Sequence, residues 1–362
     1  MNDNVNLINN FKFENFPELK YIESISCGKN CNYKTVAVYC IIKNEERLYQ
    51  MAYCKNKYYS QYESPTHIII YNLILNKIEN KIYKAHNNNH INSLKHYYNS
   101  STKNHILLSS TSSSYNYYCK LWNISSNPII NILKVKDCFK LCLMFNNEDF
   151  FIFGNKYEQT NNDYYDTRMC VWNKNGAFIK KMNKSNLNYD LEFIEATYFE
   201  NKNYILLSGQ HYDQNKGGYK YFSECYNYDE DDVKFYIDDE NKSSAHCINL
   251  FKKGDSIYFI TGYKEKVNIF EFESTKLIKR IQLGEKDVYS LCSINEKYII
   301  ASNSSKLKII DMEKYSVVKD YSAYGDDGEN CDIYGIEKIK IPEKGEFIIT
   351  YSDKGIIRIW KM

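Results

Sequence analysis

A short pattern returns seven times along the chain. It reads HIIIYNL at 67–73, YCKLWNI at 118–124, TRMCVWN at 167–173 and SECYNY at 223–228, then VNIFEF at 267–272, LKIIDM at 307–312 and IIRIWKM at 356–362. Each copy is an apolar run that ends in an aromatic or bulky residue followed by a polar one. The anchors Tyr71, Trp122, Trp172, Tyr226, Phe270, Ile310 and Trp360 are separated by 51, 50, 54, 44, 40 and 50 residues. All three tryptophans of the chain are among them. A unit of this size cannot bury an apolar face alone, so repetition at this period dictates an array in which each copy packs on the next.

Each interval contains the same ordered parts. Between Tyr71 and Trp122 run KIENKIYKAH, INSLKHYY, NHILLSS and YYCKLWN. Each is a short run of period-two or continuous apolar character bounded by Asn, Ser, Gly or Lys. CINLFKK, SIYFITGY, VNIFEFE and KLIKRIQL fill 247–283, and VYSLCSI, YIIASNS, KLKIIDM and SVVKDYS fill 288–322. Four short strands per unit, rich in β-branched residues and without an amphipathic helix between them, predict an all-β repeat.

These residues resemble the WD-repeat β-propeller family, whose unit opens near a Gly-His and closes near a Trp-Asp. Ala85-His86, with Ile91 and Ser93 after it, is similar to the opening, and Ala245-His246 repeats it. Asp166 to Asn173 and Ser352 to Trp360 are similar to the turn aspartate and closing strand. The resemblance spans roughly residues 11–362 and is degenerate, since no unit keeps every family residue. It implies one domain over 1–362, a seven-bladed β-propeller with four antiparallel strands per blade. The last repeat stops two residues after Trp360, one strand short. The stretch FPELKYIESIS (16–26) is therefore expected to lie beside the last blade and close the ring.

Composition narrows the function classes. Lys plus Arg is 47 against 45 for Asp plus Glu, a net charge of +2, which gives no global footprint for nucleic acid or an anionic membrane. No apolar run approaches the roughly 18 residues of a membrane span, and no basic-then-apolar leader opens the sequence. The 12 cysteines are too dilute for a disulfide scaffold, so reduced thiols and a cytoplasmic location are expected, with the nucleus as the alternative.

Motifs for chemistry are missing from the sequence: it contains no P-loop, G-x-S-x-G elbow or H-E-x-x-H. Cys27 with Cys31, and Cys138 with Cys142, are spaced loosely for zinc, and neither a metal nor a cofactor is expected. His86 and His246 read as structural residues of the repeat. Ile281-Gln282-Leu283-Gly284 lacks the arginine pair with which some members of the family resembled grip phosphoinositides. The acidic groups Asp229 to Asp232 and Asp326-Asp327 read first as solvated turns, and second as a polar rim for a basic peptide.

One feature stands above a tyrosine-rich background. In a propeller the loops joining second to third strands share a face, here 54–66, 110–118, 154–167 and 209–221 in the first four repeats. They hold Tyr58, Tyr59 and Tyr62; Tyr115, Tyr117 and Tyr118; Tyr157, Tyr164 and Tyr165; and Tyr212, Tyr219 and Tyr221. That is 12 tyrosines in 49 residues, where proportion predicts about 5. Tyrosine offers a rigid apolar body with a polar tip, the chemistry of interface anchors. The sequence thus reads as a non-enzymatic scaffold docking a peptide or partner protein within a complex, through these tyrosines edged by Asp326 and Asp327. The alternatives are an enzyme with a site in the central channel, or an RNA-associated protein whose aromatic loops stack bases.

Overall fold

The computed structural model describes residues 19–22, 37–42, 50–55, 67–72, 77–86, 90–99, 102–112, 118–126, 129–136, 139–144, 151–159, 165–173, 177–181, 189–213, 217–239, 243–323, 332–341, 345–352 and 357–361. Among them every regular element is a β-strand. The first, β1 (Leu19–Ile22), precedes a sheet of β2 (Ala37–Ile42), β3 (Gln50–Lys55), β4 (Ile68–Asn72) and β5 (Lys77–Ile82). A second sheet holds β6 (His90–Asn99), β7 (Asn104–Ser112), β8 (Tyr118–Asn123) and β9 (Ile130–Lys136). A third holds β10 (Phe139–Met144), β11 (Phe151–Gln159), β12 (Tyr165–Asn173) and β13 (Phe178–Lys181). The fourth comprises β14 (Tyr189–Phe199), β15 (Lys202–Asp213), β16 (Gly218–Asn227) and β17 (Asp232–Asp239). The fifth comprises β18 (Cys247–Lys253), β19 (Ser256–Gly262), β20 (Lys264–Glu271) and β21 (Leu277–Asp287). The sixth is β22 (Leu291–Ser293), β23 (Tyr298–Asn303), β24 (Lys306–Asp311) and β25 (Ser316–Ser322). The last contains β26 (Ile333–Ile341), β27 (Gly345–Ser352) and β28 (Ile357–Lys361).

Each sheet is an antiparallel meander in chain order, except that the last takes its fourth strand from the other end of the chain: its order is β1-β28-β27-β26. Leu19 faces Ile359 and Ile22 faces Ile357. Of the stretch 16–26 expected beside the last repeat, residues 19–22 form that strand and the remainder lies outside the described residues.

The repeat signature has a structural meaning. All seven anchors lie on the third strand of a sheet, from Tyr71 on β4 to Trp360 on β28. At six of them the pairing with the fourth strand slips, between Ile70 and Tyr71, Leu121 and Trp122, Val171 and Trp172, Cys225 and Tyr226, Ile269 and Phe270, and Ile309 and Ile310. Such a bulge adds local twist and re-aims the side chain. The polar residue that follows then makes the turn. Asn123 Oδ1 accepts from Ser125 N, and Asn173 Oδ1 from Ala177 N. Asn227 Oδ1 accepts from Asp229 N and Glu230 N, and Asp311 Oδ1 from Glu313 N and Lys314 N. These are side-chain-stabilised turns that Asn and Asp favour.

The core is divided among the gaps between successive sheets. Phe259 packs with Phe235 and Cys225 of the fourth sheet, whereas its neighbour Ile260 packs with Leu291 and Ile299 of the sixth. Ile299 and Ile300 are 1% and 3% exposed; the first joins the fifth sheet and the second meets Ile336 and Ile348 of the last. Strand side chains alternate between faces, so two adjacent buried residues place a sheet between two others. The first strands follow one another in space, from β2 beside β6 through β10, β14, β18 and β22 to β26.

Candidate functional site

The first strands bring together residues far apart in sequence. β6, β14, β18 and β26, with the turn entering β22, line one cavity of about 590 Å³. Lys95, Glu195, Asn249 and Glu337 come from the bodies of these four strands. Lys95 Nζ donates to both carboxylate oxygens of Glu195, at 2.6 and 2.7 Å, joining β6 to β14 across a separation of 100 residues. Both side chains keep solvent contact, so the pair orients the wall more than it stabilises the fold.

At the end where these strands begin, the lining turns aromatic. Tyr289 and Tyr334 pack with ring centroids 4.4 Å apart and planes 31° from parallel. The Tyr289 hydroxyl donates to Asp287 Oδ2 at 2.9 Å. Burial, then the hydrogen bond to Asp287, raises the Tyr289 pKa, so the phenol stays protonated. Tyr351 reaches the cavity from β27, its ring against the backbone of Gly335: a Cβ at that glycine would fall 1.6 Å from the ring carbon Cε1. Glycine is required there by close approach. Burial first, then the charges of Glu337 and Glu195, raises the Tyr351 pKa.

Hydroxyls on the second strands set the entry turns. Ser302 Oγ accepts from Tyr289 N at 3.1 Å and Ser290 N at 3.0 Å, and Ser290 Oγ accepts from Ile336 N at 2.9 Å. In the second sheet, Ser109 Oγ accepts from Trp122 Nε1 at 2.8 Å and lies 2.6 Å from His86 Nε2. Burial, then the charges of Lys120 and Lys134, lowers the His86 pKa to about 3, so the ring is neutral and belongs to the framework. His246 lies 3.8 Å from Asp287 and packs on Tyr289.

The structure corrects the placement of six expected loop tyrosines, with Tyr118 on β8 and Tyr221 on β16 among them. Tyr157 and Tyr165 belong to β11 and β12, paired with Thr167 and Gln159. Tyr212 and Tyr219 are register partners on β15 and β16, and Gly217, just before β16, has φ +64°. Tyrosine is a strong strand former, and the ladders run further into the hairpins than the polar neighbours suggest. Tyr219 is 61% exposed. Tyr118, counted with the same group, is buried beneath His86 (centroids 5.1 Å) and Lys134 Nζ (3.9 Å from its ring centre), which makes it a core residue. Tyr58, Tyr59, Tyr62, Tyr115, Tyr117, Tyr164, Asp326 and Asp327 lie outside the described residues, as do Cys27, Cys31 and Cys138.

The acidic group after Tyr226 is occupied by its own surroundings. Asp229 accepts from Asn203 N at 2.8 Å and Asn203 Nδ2 at 3.0 Å, and Asp231 accepts from the Tyr226 hydroxyl. Glu230 pairs with Lys202 at 2.6 Å and with Lys234. Among the described residues no three His, Cys, Asp or Glu side chains are grouped to hold a metal, and no helix is long and apolar enough to cross a membrane.

Sequence reasoning missed the cavity residues Lys95, Glu195, Tyr289, Tyr334, Glu337 and Tyr351. A trace was present: Val288-Tyr289-Ser290-Leu291 and Ile333-Tyr334-Gly335-Ile336 share one pattern at equivalent points of two repeats. Comparison of the chain with protein-family models finds no matching family, and comparison with curated proteins finds no significant relative.

Proposed function

We propose that the chain is a seven-bladed β-propeller of the WD-repeat type, closed by β1 beside the last sheet, and that it serves as a non-enzymatic scaffold. It docks a peptide or partner protein on the face where the first strands begin. Two kinds of element open on that face in such an architecture: the turns entering the first strands, and the hairpins between second and third strands. The observation that carries the reading is the β15–β16 hairpin, where Tyr212 and Tyr219 form a cross-strand pair and Tyr219 is largely exposed. An exposed tyrosine on a paired strand buries apolar area on contact at little entropic cost, as interface anchors do.

The test is capture of partners from native lysate by the wild-type chain and by a Tyr212→Ala/Tyr219→Ala form. A partner retained by the first and lost by the second, at equal melting temperature, supports docking through the hairpin. Equal capture by both forms removes the hairpin from the interface. A fall in melting temperature of the variant assigns the pair to the fold. Closure of the ring is tested by deleting residues 1–26, which should expose β28 and lower the melting temperature of the whole chain.

A further inference from the structure

Two residues before its anchor the third strand of a sheet pairs with the fourth, and in two sheets this step joins complementary groups. In the sixth sheet Lys308 faces Asp320, with Nζ 2.6 Å from Oδ2. In the fifth, Arg280 Nε donates to Asn268 Oδ1 at 3.4 Å across the same step. The second sheet breaks the pattern: Lys120 on β8 faces Lys134 on β9. Like charges directly opposite one another destabilise a ladder. The two ammonium groups stand 5.8 and 3.9 Å from the centre of the Tyr118 ring. Lys120 is half-buried and uses one of its three donors on Ala85 O at 2.6 Å, while Lys134 is exposed. Among the described residues no carboxylate pairs with either one, and the charges that act on Lys120 and on nearby His86 are those of lysines. Lys84, exposed in the turn that holds Ala85, adds a third cation.

We propose that this step of the second sheet, with the turn at Ala85, is a binding site for a phosphate monoester held by the ammonium groups of Lys120 and Lys134. The external anion supplies the partner that Asp320 supplies to Lys308. A carboxylate would neutralise one of the two cations, whereas a phosphate monoester carries close to two negative charges and three acceptor oxygens. The Tyr118 ring attracts both ammonium groups without neutralising them, which leaves their charge for a ligand. The basic group is local on a chain of net charge +2, which suits a single anionic group better than a polyanion. Two sources share this chemistry: a phosphorylated side chain of a docked segment, or a free phosphate-bearing small molecule. The first source rests on the docking function proposed above; the site itself does not.

The experiment is calorimetric titration of the full chain at low salt with N-acetyl-O-phosphoserine methylamide, inorganic phosphate and, as the uncharged control, N-acetyl-serine methylamide. The expected result is binding of at least one phosphate-bearing probe, with capped serine weaker by about tenfold or more. Capped phosphoserine binding better than inorganic phosphate identifies a phosphorylated side chain as the source; equal or reversed affinity identifies a small anion. Lys134→Asp gives the second sheet the pair that Lys308 and Asp320 form in the sixth. It should weaken the phosphate-bearing probe by about tenfold or more, while the melting temperature stays at or above that of wild type. General damage to the fold would lower both. Absence of binding by both phosphate-bearing probes, equal binding of capped serine, or a Lys134→Asp form that binds as wild type does or melts below it overturns the site. The probes are too small to require the β15–β16 hairpin. Failure here therefore leaves docking to its own test, whereas failed docking with phosphate binding intact overturns docking alone.

Discussion

Phe235 gives the sharpest test of how the sheets hold one another. It lies on β17, the outermost strand of the fourth sheet, and is 1% exposed. Its ring stacks on Phe259 of the fifth sheet with centroids 4.0 Å apart, and meets Phe270 at 5.8 Å edge-on and Phe272 at 5.9 Å. Truncation to alanine removes the transfer free energy of the ring, leaves a cavity and abolishes three ring contacts, a cost of about 4 kcal/mol. Unfolding entropy for 362 residues is about 0.8 kcal/mol per degree, so Phe235→Ala should lower the melting temperature by about 5 °C. Phe235→Leu keeps most of the volume and loses the ring geometry, so about 1 kcal/mol is expected. Calorimetry with urea titration at fixed protein concentration measures both. A Phe235→Ala form melting within about 1 °C of wild type would show that the fourth and fifth sheets do not share this core.

Two further outcomes follow from buried groups elsewhere. His86 ionises near pH 3 in the folded chain but near 6.5 when unfolded, so between those values the unfolded state takes up the extra proton. Its contribution to stability is present above pH 6.5 and is lost on acidification at about 1.4 kcal/mol per pH unit. Urea midpoints from pH 7.5 to 4.5 should fall more steeply for wild type than for His86→Gln; parallel curves would contradict the assignment. At Gly262 a Cβ would lie 2.5 Å from Cys247 Sγ and 2.8 Å from Val288 Cγ1, so Gly262→Ala should cost about 1–3 kcal/mol. Gly218→Ala, with no atom within 4 Å of the new methyl, should stay within about 0.5 kcal/mol, and equal urea midpoints for the two would refute the packing argument.

The repeat was legible because its signature marks something local. An aromatic or bulky residue followed by Asn or Asp specifies a bulge and then a side-chain-stabilised turn, both decided within a few residues, as at Trp122-Asn123 and Tyr226-Asn227. Hairpin extents were less legible. Tyr157, Tyr165, Tyr212 and Tyr219 sit among Lys, Asp, Gln and Asn that read as loop, while tertiary pairing carries the ladder past them. The cavity was the least legible. Lys95 and Glu195 become partners only when two first strands turn toward a common space, and nothing in either local sequence announces the other. His86, expected to be structural, is buried against Ser109.

The burial of neighbours such as Ile299 and Ile300 on opposite sides of one sheet bears on how faithfully the chain assembles. Where a sheet has one wet face, a strand that slides by one position turns its greasy side to water and the error penalises itself. Here a strand that slides still finds an apolar neighbour on either side, so hydrophobicity alone proofreads poorly. Discrimination passes to the features that cannot slide: the bulge at each anchor and the turn side chain after it. Loss of Asn227 or Asp311 should then appear first as mispaired, aggregating product during refolding, and only second as a lower melting point of the molecules that assembled correctly.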